Sequence, residues 1–250
     1  MKNNNQKSPI RFSLIIPAYN EEKFLPFLLD SVAVAKENYE GGRDAIEIIV
    51  ANNMSTDMTA DIALKHGCQV AHVEKRLIAA ARNGGAALAT GDVLCFIDGD
   101  SRIHPDTFNA INHLIKNDKV IAGATGIVPD RYSLGIIMTW VMAYIVTFFA
   151  RVDAGVVFCR RQDFISIGGY NETLEYAEDI QFLTDLKILG KKRNQHFART
   201  ANAKAITSTR KFDTHGDWHY FTKMPRVGFW MLFNKSKTRS FTNKYWYEDR

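Results

Sequence analysis

Short apolar runs alternate with longer runs at helical spacing from Phe12 onward, and that rhythm commits the chain to a mostly parallel sheet flanked by helices. The pattern predicts strands over residues 12–17, 46–51, 69–73 and 93–97. Between them it predicts a helix over 21–37, another capped by Ser55 or Thr56 with Asp57 in its first turn, and an alanine-rich helix over 78–89. A helix over 105–116 follows, opened by a proline at a favoured position. Beyond Val120 the rhythm loosens into a strand reaching Val128, an apolar helix over 134–150, a strand over 155–159 and a helix over 178–189. The expected architecture is Rossmann-like α/β, a single two-part domain.

At 250 residues the chain is long enough to bury a substantial core without covalent staples. Cys68, Cys95 and Cys159 are odd in number and lack C-x-x-C spacing, which argues against a disulfide frame or a zinc site and for a reducing compartment. The polar stretch 1–11 has no apolar core of a secretory signal, so the expected location is cytoplasmic. The formal net charge of +5 is concentrated late, where Lys223, Arg226, Lys235, Lys237, Arg239 and Lys244 meet only Glu248 and Asp249. Trp218, Tyr220, Phe221, Phe229, Trp230, Phe233, Tyr245 and Trp246 are interleaved with them, a mixture suited to a membrane surface. Peripheral association with the inner face of the membrane is therefore an expectation, and nucleic acid is not an expected partner. The apolar run 134–150 falls short of the roughly 20 residues that span a bilayer and is read as a buried or interface helix.

In open α/β sheets ligands gather beyond the carboxyl ends of the strands. Those positions are polar here: Pro17-Ala18-Tyr19-Asn20-Glu21-Glu22, Asn52-Asn53-Met54-Ser55-Thr56-Asp57 and Asp98-Gly99-Asp100. Tyr19 offers a ring face to a nucleobase, and Asn52 or Asp57 a hydrogen bond to base or ribose. Residues two apart on an extended chain face one side, so Asp98 and Asp100 are candidate oxygen ligands for Mg2+ or Mn2+. The competing reading is an ordinary turn with Gly99 as its permissive residue. The Gly-rich phosphate cradles are absent, so a diphosphate needs other positive charge. A metal on the two aspartates supplies it, and Arg82, beside Asn83-Gly84-Gly85, adds a guanidinium unless it is a solvated helix charge.

In order along the chain, I-I-P-A-Y-N-E-E at 15–22, S-T-D at 55–57, A-R-N-G-G at 81–85, F-I-D-G-D-S at 96–101, G-G-Y-N-E at 168–172 and E-D at 178–179 together resemble the family 2 glycosyltransferases of GT-A fold. The resemblance covers most of residues 12–215, with 12–101 as a nucleotide-binding half, 102–215 as an acceptor and catalytic half, and 216–250 as a basic aromatic extension. It implies metal-assisted, non-processive transfer of a sugar from a nucleotide-diphosphate donor to an acceptor hydroxyl with inversion. It implies that Asp98 and Asp100 hold metal and donor, and that Pro17, Ala18, Tyr19, Glu21, Asn52, Arg82, Gly99 and Arg210 line the donor. It implies that Asp179 is the general base and that Gly168, Gly169, Tyr170 and Glu178 face the acceptor. His215 is the candidate late histidine completing the metal site; its alternative is a structural histidine. Glu178-Asp179 also reads as a charge pair at a helix N-terminus. The chain departs from the family where two aspartates are usual, carrying Asn52-Asn53, and a neutral amide accepts a hydrogen bond from a base without charge assistance. Expected partners are the nucleotide sugar, a glycan or lipid-linked acceptor and a second copy of the chain. Two rival functions are a degenerate module that binds nucleotide sugar without catalysis and a sugar nucleotidyltransferase.

Overall fold

The structure, a computed structural model, describes residues 10–150, 154–174 and 177–222. The first four strands are β1 (Phe12–Ala18), β2 (Ile46–Asn52), β3 (Gln69–His72) and β4 (Val93–Phe96). They alternate with helices α1 (Leu25–Glu37), α2 (Thr59–Lys65), α3 (Ile78–Leu88) and α4 (Thr107–Ile115). All seven residues of β1 are buried, as befits a parallel strand covered on both faces. Next come β5 (Val120–Ala124), β6 (Ile127–Pro129), α5 (Leu134–Ala150), β7 (Val157–Arg160), α6 (Arg161–Ser166) and α7 (Glu178–Lys192). The described chain closes with β8 (His196–Arg199), β9 (Ala205–Thr207), α8 (Arg210–His215) and α9 (His219–Thr222).

Seven strands form one sheet in the order β3-β2-β1-β4-β7-β5-β8, and β6 pairs with β9 separately. Only β7 runs against its neighbours in the large sheet. Phe12 lies opposite both Ile46 of β2 and Val93 of β4, a register that carries the polar segments after β1, β2 and β4 to one edge. Phe12 packs edge-on against Tyr39, 5.4 Å between ring centroids, and against Phe108 at the same separation. A second aromatic group joins Phe96 to Phe164, Tyr170 and Phe182. Burying a side chain of this kind is worth about 1.5–3 kcal/mol.

The chain divides into two compact units that interleave in sequence. The first comprises Met1–Val128 and Asp153–Ile206 and contains the large sheet; the second comprises Pro129–Val152 and Thr207–Arg250. Within the second, Arg131 donates to Asp213 at 2.6 Å and to Asp217 at 2.7 Å, and the Asp130 carboxylate accepts from the Thr209 hydroxyl at 2.6 Å.

Several boundaries differ from the sequence expectation. Helix α2 begins at Thr59 rather than after Ser55, because Asp57 accepts from the Thr59 amide at 3.0 Å while Ser55 and Thr56 turn toward the loop after β1. Pro105 precedes α4, whose N-cap is Asp106. The strand expected to reach Val128 breaks at Gly126, whose φ of +74° is the left-handed region glycine tolerates, so β5 and β6 enter different sheets. In the helix predicted over 134–150, Ile136 and Thr139 are buried, whereas Leu134, Ile137, Met138, Val141 and Met142 are exposed. Among the described residues no helix is long and apolar enough to cross a membrane. Most of the basic aromatic segment, residues 223–250, lies outside the described residues.

Candidate active site

The rim of the large sheet is built by two loops that bond to each other before any ligand arrives. After β1 the chain turns at Asn20, whose φ of +52° is unusual for a residue with a side chain. The Asn20 amide donates to the Ser55 hydroxyl at 3.1 Å, and the Asn20 side chain accepts from the Thr56 amide at 2.9 Å. The Glu21 amide donates to the Thr59 hydroxyl at 2.8 Å, the Glu22 amide to Asp57 at 3.0 Å, and the Met58 amide back to Glu22 at 3.2 Å. The S-T-D segment thus latches the loop after β1 to the loop after β2, which leaves the rim preorganised. Glu21 itself is buried, and a Cβ added at Gly99 would stand 3.3 Å from its Cγ and 3.5 Å from the Pro17 carbonyl oxygen. Gly99 therefore serves close approach of the turn to the end of β1 rather than a left-handed backbone.

Asn52 and Asn53, the departure from the family pattern, have separate tasks. Asn52 accepts from the Ser55 amide at 3.1 Å, a bond that an aspartate would also make. The Asn53 side-chain amide donates to the carbonyls of Val73 at 3.2 Å and Lys75 at 2.6 Å, a task that requires N–H groups. The Tyr19 ring is stacked by the Arg76 guanidinium, 4.3 Å from its centroid, and its hydroxyl accepts from the same arginine at 2.5 Å.

Strand β4 ends at Phe96, so Asp98 and Asp100 stand on a turn closed by the Ser101 amide on the Asp98 carbonyl at 3.1 Å. The strand alternation invoked for them does not apply, because the ladder has already stopped. Asp98 is instead placed by Arg82, buried on α3, whose guanidinium donates to Asp98 at 3.1 Å, to Glu178 at 2.9 Å and to Asp179. Tyr170 lies beneath the same guanidinium at 5.0 Å from its ring centroid. Burial opposes the Arg82 charge, and the carboxylates of Asp179, Asp98 and Glu178 more than restore it, so it stays cationic. Arg82 is thus no solvated helix charge.

Asp179 sits in the first turn of α7, with about half of its side chain exposed, whereas Glu178 beside it is buried. Desolvation raises the Asp179 carboxyl from 3.8 to about 6; Arg82 pulls it down, and the negative charges of Glu178 and Asp98 push it up again. A carboxylate of that basicity is suited to taking a proton near neutrality.

The remaining residues of A-R-N-G-G hold this arrangement in place. Asn83 accepts from the Tyr170 amide at 2.9 Å and donates to the Tyr170 carbonyl and to Glu172, each at 2.9 Å. Lys75 completes the clamp by donating to Glu172 at 2.9 Å. Gly84 and Gly85 let α3 lie directly on the sheet: a Cβ on Gly85 would come 2.5 Å from Ile15 Cγ2, and one on Gly84 2.5 Å from Val73 Cγ2. Gly168 and Gly169, at φ +80° and +73°, carry the chain out of α6 and into Tyr170. Asn83, Lys75, Glu172 and Arg76 were not anticipated. Asn83 and Glu172 at least lie inside recognisable motifs, whereas nothing local marks Lys75 or Arg76.

Arg210 and His215 stand on α8 of the second unit. Among the described residues, no three His, Cys, Asp or Glu side chains gather as a metal-binding group. Asp98 and Asp100 fit a hard cation that takes only one or two carboxylates from protein and its remaining ligands from phosphate and water.

The sequence model described as glycosyl transferase family 2 matches residues 13–138, half of the chain. The chain belongs to glycosyl transferase family 2. This family 2 glycosyltransferase is 28% identical over 139 residues to the dolichyl-phosphate beta-glucosyltransferase ALG5D of Trichomonas vaginalis, covering 50% of this chain and 42% of that protein. It is 31% identical over 104 residues to the poly(ribitol-phosphate) beta-N-acetylglucosaminyltransferase TarS of Staphylococcus aureus, covering 39% of this chain and 18% of TarS. The matches thus span less than half the length of these relatives. In structure, it resembles TarS residues 1–349 in complex with UDP-GlcNAc at a TM-score of 0.64 and 17% identity, over 96% of this chain and 71% of the other. It resembles the mannosyltransferase PcManGT of Pyrobaculum calidifontis, in complex with GDP-Man and Mn2+, at 0.63 and 19%, over 88% and 67%. The shared fold is GT-A.

Proposed function

We propose that this family 2 glycosyltransferase moves a sugar from a nucleotide-diphosphate donor to an acceptor hydroxyl with inversion, and that the acceptor is a lipid-linked or cell-envelope glycan. The observation that carries the reading is the Arg82 guanidinium, which joins Asp98 at the rim of β4 to Asp179 at the start of α7. Inverting transfer needs carboxylates that hold a cation on the diphosphate side and a proton acceptor on the opposite side of the sugar, and the buried Arg82 guanidinium fixes one carboxylate of each kind. Asp98 and Asp100 would hold a divalent cation, Mn2+ or Mg2+, whose chemistry is to neutralise the departing diphosphate.

Asp179 accepts the acceptor's proton on its carboxylate, and Arg82 keeps that carboxylate oriented. The segment Pro17-Ala18-Tyr19, with Asn52, receives the nucleoside; Glu21 and Gly99 hold the rim beneath it. Gly168, Gly169 and Tyr170, locked by Asn83, together with Glu178 form the acceptor side. For Arg210 and His215, on α8 of the second unit, the donor and metal roles rest on the family resemblance alone. Donors crystallised with the neighbours include both UDP- and GDP-sugars, so both nucleotides enter the test.

The Asp179→Asn variant is expected to bind a UDP- or GDP-sugar as the parent does in the presence of Mn2+, while turnover falls by about 100-fold or more. Asp98→Asn combined with Asp100→Asn is expected to abolish the Mn2+ dependence of nucleotide binding in calorimetry. Parental turnover by Asp179→Asn, or undiminished Mn2+ dependence in the double variant, overturns the corresponding assignment.

A further inference from the structure

Asn52 and Asn53 follow one another at the end of β2, and the fold uses their side-chain amides in different ways. The Asn53 Nδ2 donates to two carbonyls, those of Val73 at 3.2 Å and Lys75 at 2.6 Å, which takes up both of its hydrogens. Asn52 uses only its oxygen, which accepts from the Ser55 amide at 3.1 Å. Its Nδ2 has no acceptor among the described residues and is not sealed from solvent. The residue is only 8% exposed, so this nitrogen belongs to the little surface it shows. A side chain so nearly buried can leave a donor unpaired only where water or a ligand meets it.

The Ser55 amide also fixes which way the Asn52 side chain lies. Turned over, it would set Nδ2 against that N–H, donor against donor. The carbonyl oxygen that the sequence offers a base is therefore already engaged, and the rim meets an N–H instead. The β1–β2 register places Asn52 beside Ala18, one residue before Tyr19, in the segment proposed to receive the nucleoside. Nucleobases divide at such a contact. Uracil and guanine carry a hydrogen on the ring nitrogen of their pairing edge, N3 and N1 respectively, whereas cytosine and adenine carry a lone pair there. An N–H facing the first pair leaves two donors without an acceptor; facing the second it makes a hydrogen bond. We infer that Asn52 reads the base of the nucleotide sugar by donating from Nδ2 to a bare ring nitrogen, so that the site selects cytosine or adenine over uracil and guanine. The inference rests on the proposed binding of a nucleotide-diphosphate sugar at this rim and adds which base it takes.

The test is calorimetry of the full chain with CDP, UDP, ADP and GDP in the presence of Mn2+. CDP is expected to bind the parent about tenfold or more tightly than UDP, or, where the slot takes a purine, ADP about tenfold or more tightly than GDP. Asn52→Asp keeps the bond from Ser55 and puts a carboxylate oxygen in place of Nδ2, so the order is expected to reverse, with UDP above CDP or GDP above ADP. Should that variant melt early, a change in the ligand keeps the comparison. The 3-deaza analogue of CDP, or the 1-deaza analogue of ADP, has C–H in place of the ring nitrogen and is expected to bind the parent about tenfold more weakly than its own parent nucleotide. Equal affinities within both pairs, a parental preference for UDP or GDP, an unreversed order in folded Asn52→Asp, or undiminished binding of the deaza analogue overturns the inference and leaves nucleotide binding in place. Binding of none of the four diphosphates overturns the transferase reading, and the inference with it.

Discussion

Asp179 and Arg82 set the chemistry of this rim through the charge each imposes on the other. The folded-state carboxyl of Asp179 is raised from 3.8 to about 6, with desolvation the leading cause. An acid with a raised value favours folding below 3.8, and that contribution is lost as pH climbs through about 6. Two outcomes follow. Activity should fall along a single protonation below about pH 6, read as the acid limb of a kcat/KM profile. The melting temperature of Asp179→Asn relative to the parent should rise between pH 3.8 and about 6 and then level off, because only the parent has to ionise this group on crossing that range. The two asparagines after β2 behave oppositely to each other. Asn53→Asp places a carboxylate against two carbonyls and is expected to cost about 2–4 kcal/mol in urea unfolding, growing with pH. Asn52→Asp keeps the bond from the Ser55 amide and should leave stability nearly unchanged while altering donor affinity in calorimetry.

Elements carry the site because of how closely they lie on one another. Helix α3 brings Arg82 to the carboxylates only by lying flat on β1 and β2, and Gly85 is the contact that permits it. Gly85→Ala drives a Cβ to 2.5 Å from Ile15 Cγ2, in a strand with no room to yield. We expect a loss of about 1–3 kcal/mol in urea unfolding. Combined with Ile15→Ala, the two changes should cost less than the sum of the single variants, since one change vacates the space the other fills. Helix α7 has a different device: its N-cap Ala177 adopts φ +60°, strained for a residue with a Cβ, immediately before Glu178 and Asp179. Strand β4 ends at Phe96, one residue before the predicted Ile97, and Asp98 and Asp100 stand on the turn that the competing reading allowed.

At the scale of the molecule, a ligand that binds only the folded rim must stabilise the whole chain by linkage. A nucleotide sugar with Mn2+ at about 100 times its dissociation constant should add about 2.7 kcal/mol, seen as a raised melting temperature that Asp98→Asn with Asp100→Asn suppresses. The alternation of strands and helices, the polar ends of β1, β2 and β4, and the family motifs were legible in order along the chain, because backbone periodicity and turn chemistry are local properties. The reversal of β7 between β4 and β5 was not legible, since strand neighbours are chosen by packing over long separations. Nor was the interleaving of two units, which joins residues far apart in sequence. Sequence alone placed carboxylates at the sheet's edge and named a candidate base. Tertiary structure alone decided that one buried guanidinium ties Asp98 to Asp179, because an arginine on α3 has no local signal for which distant charges will compensate its burial.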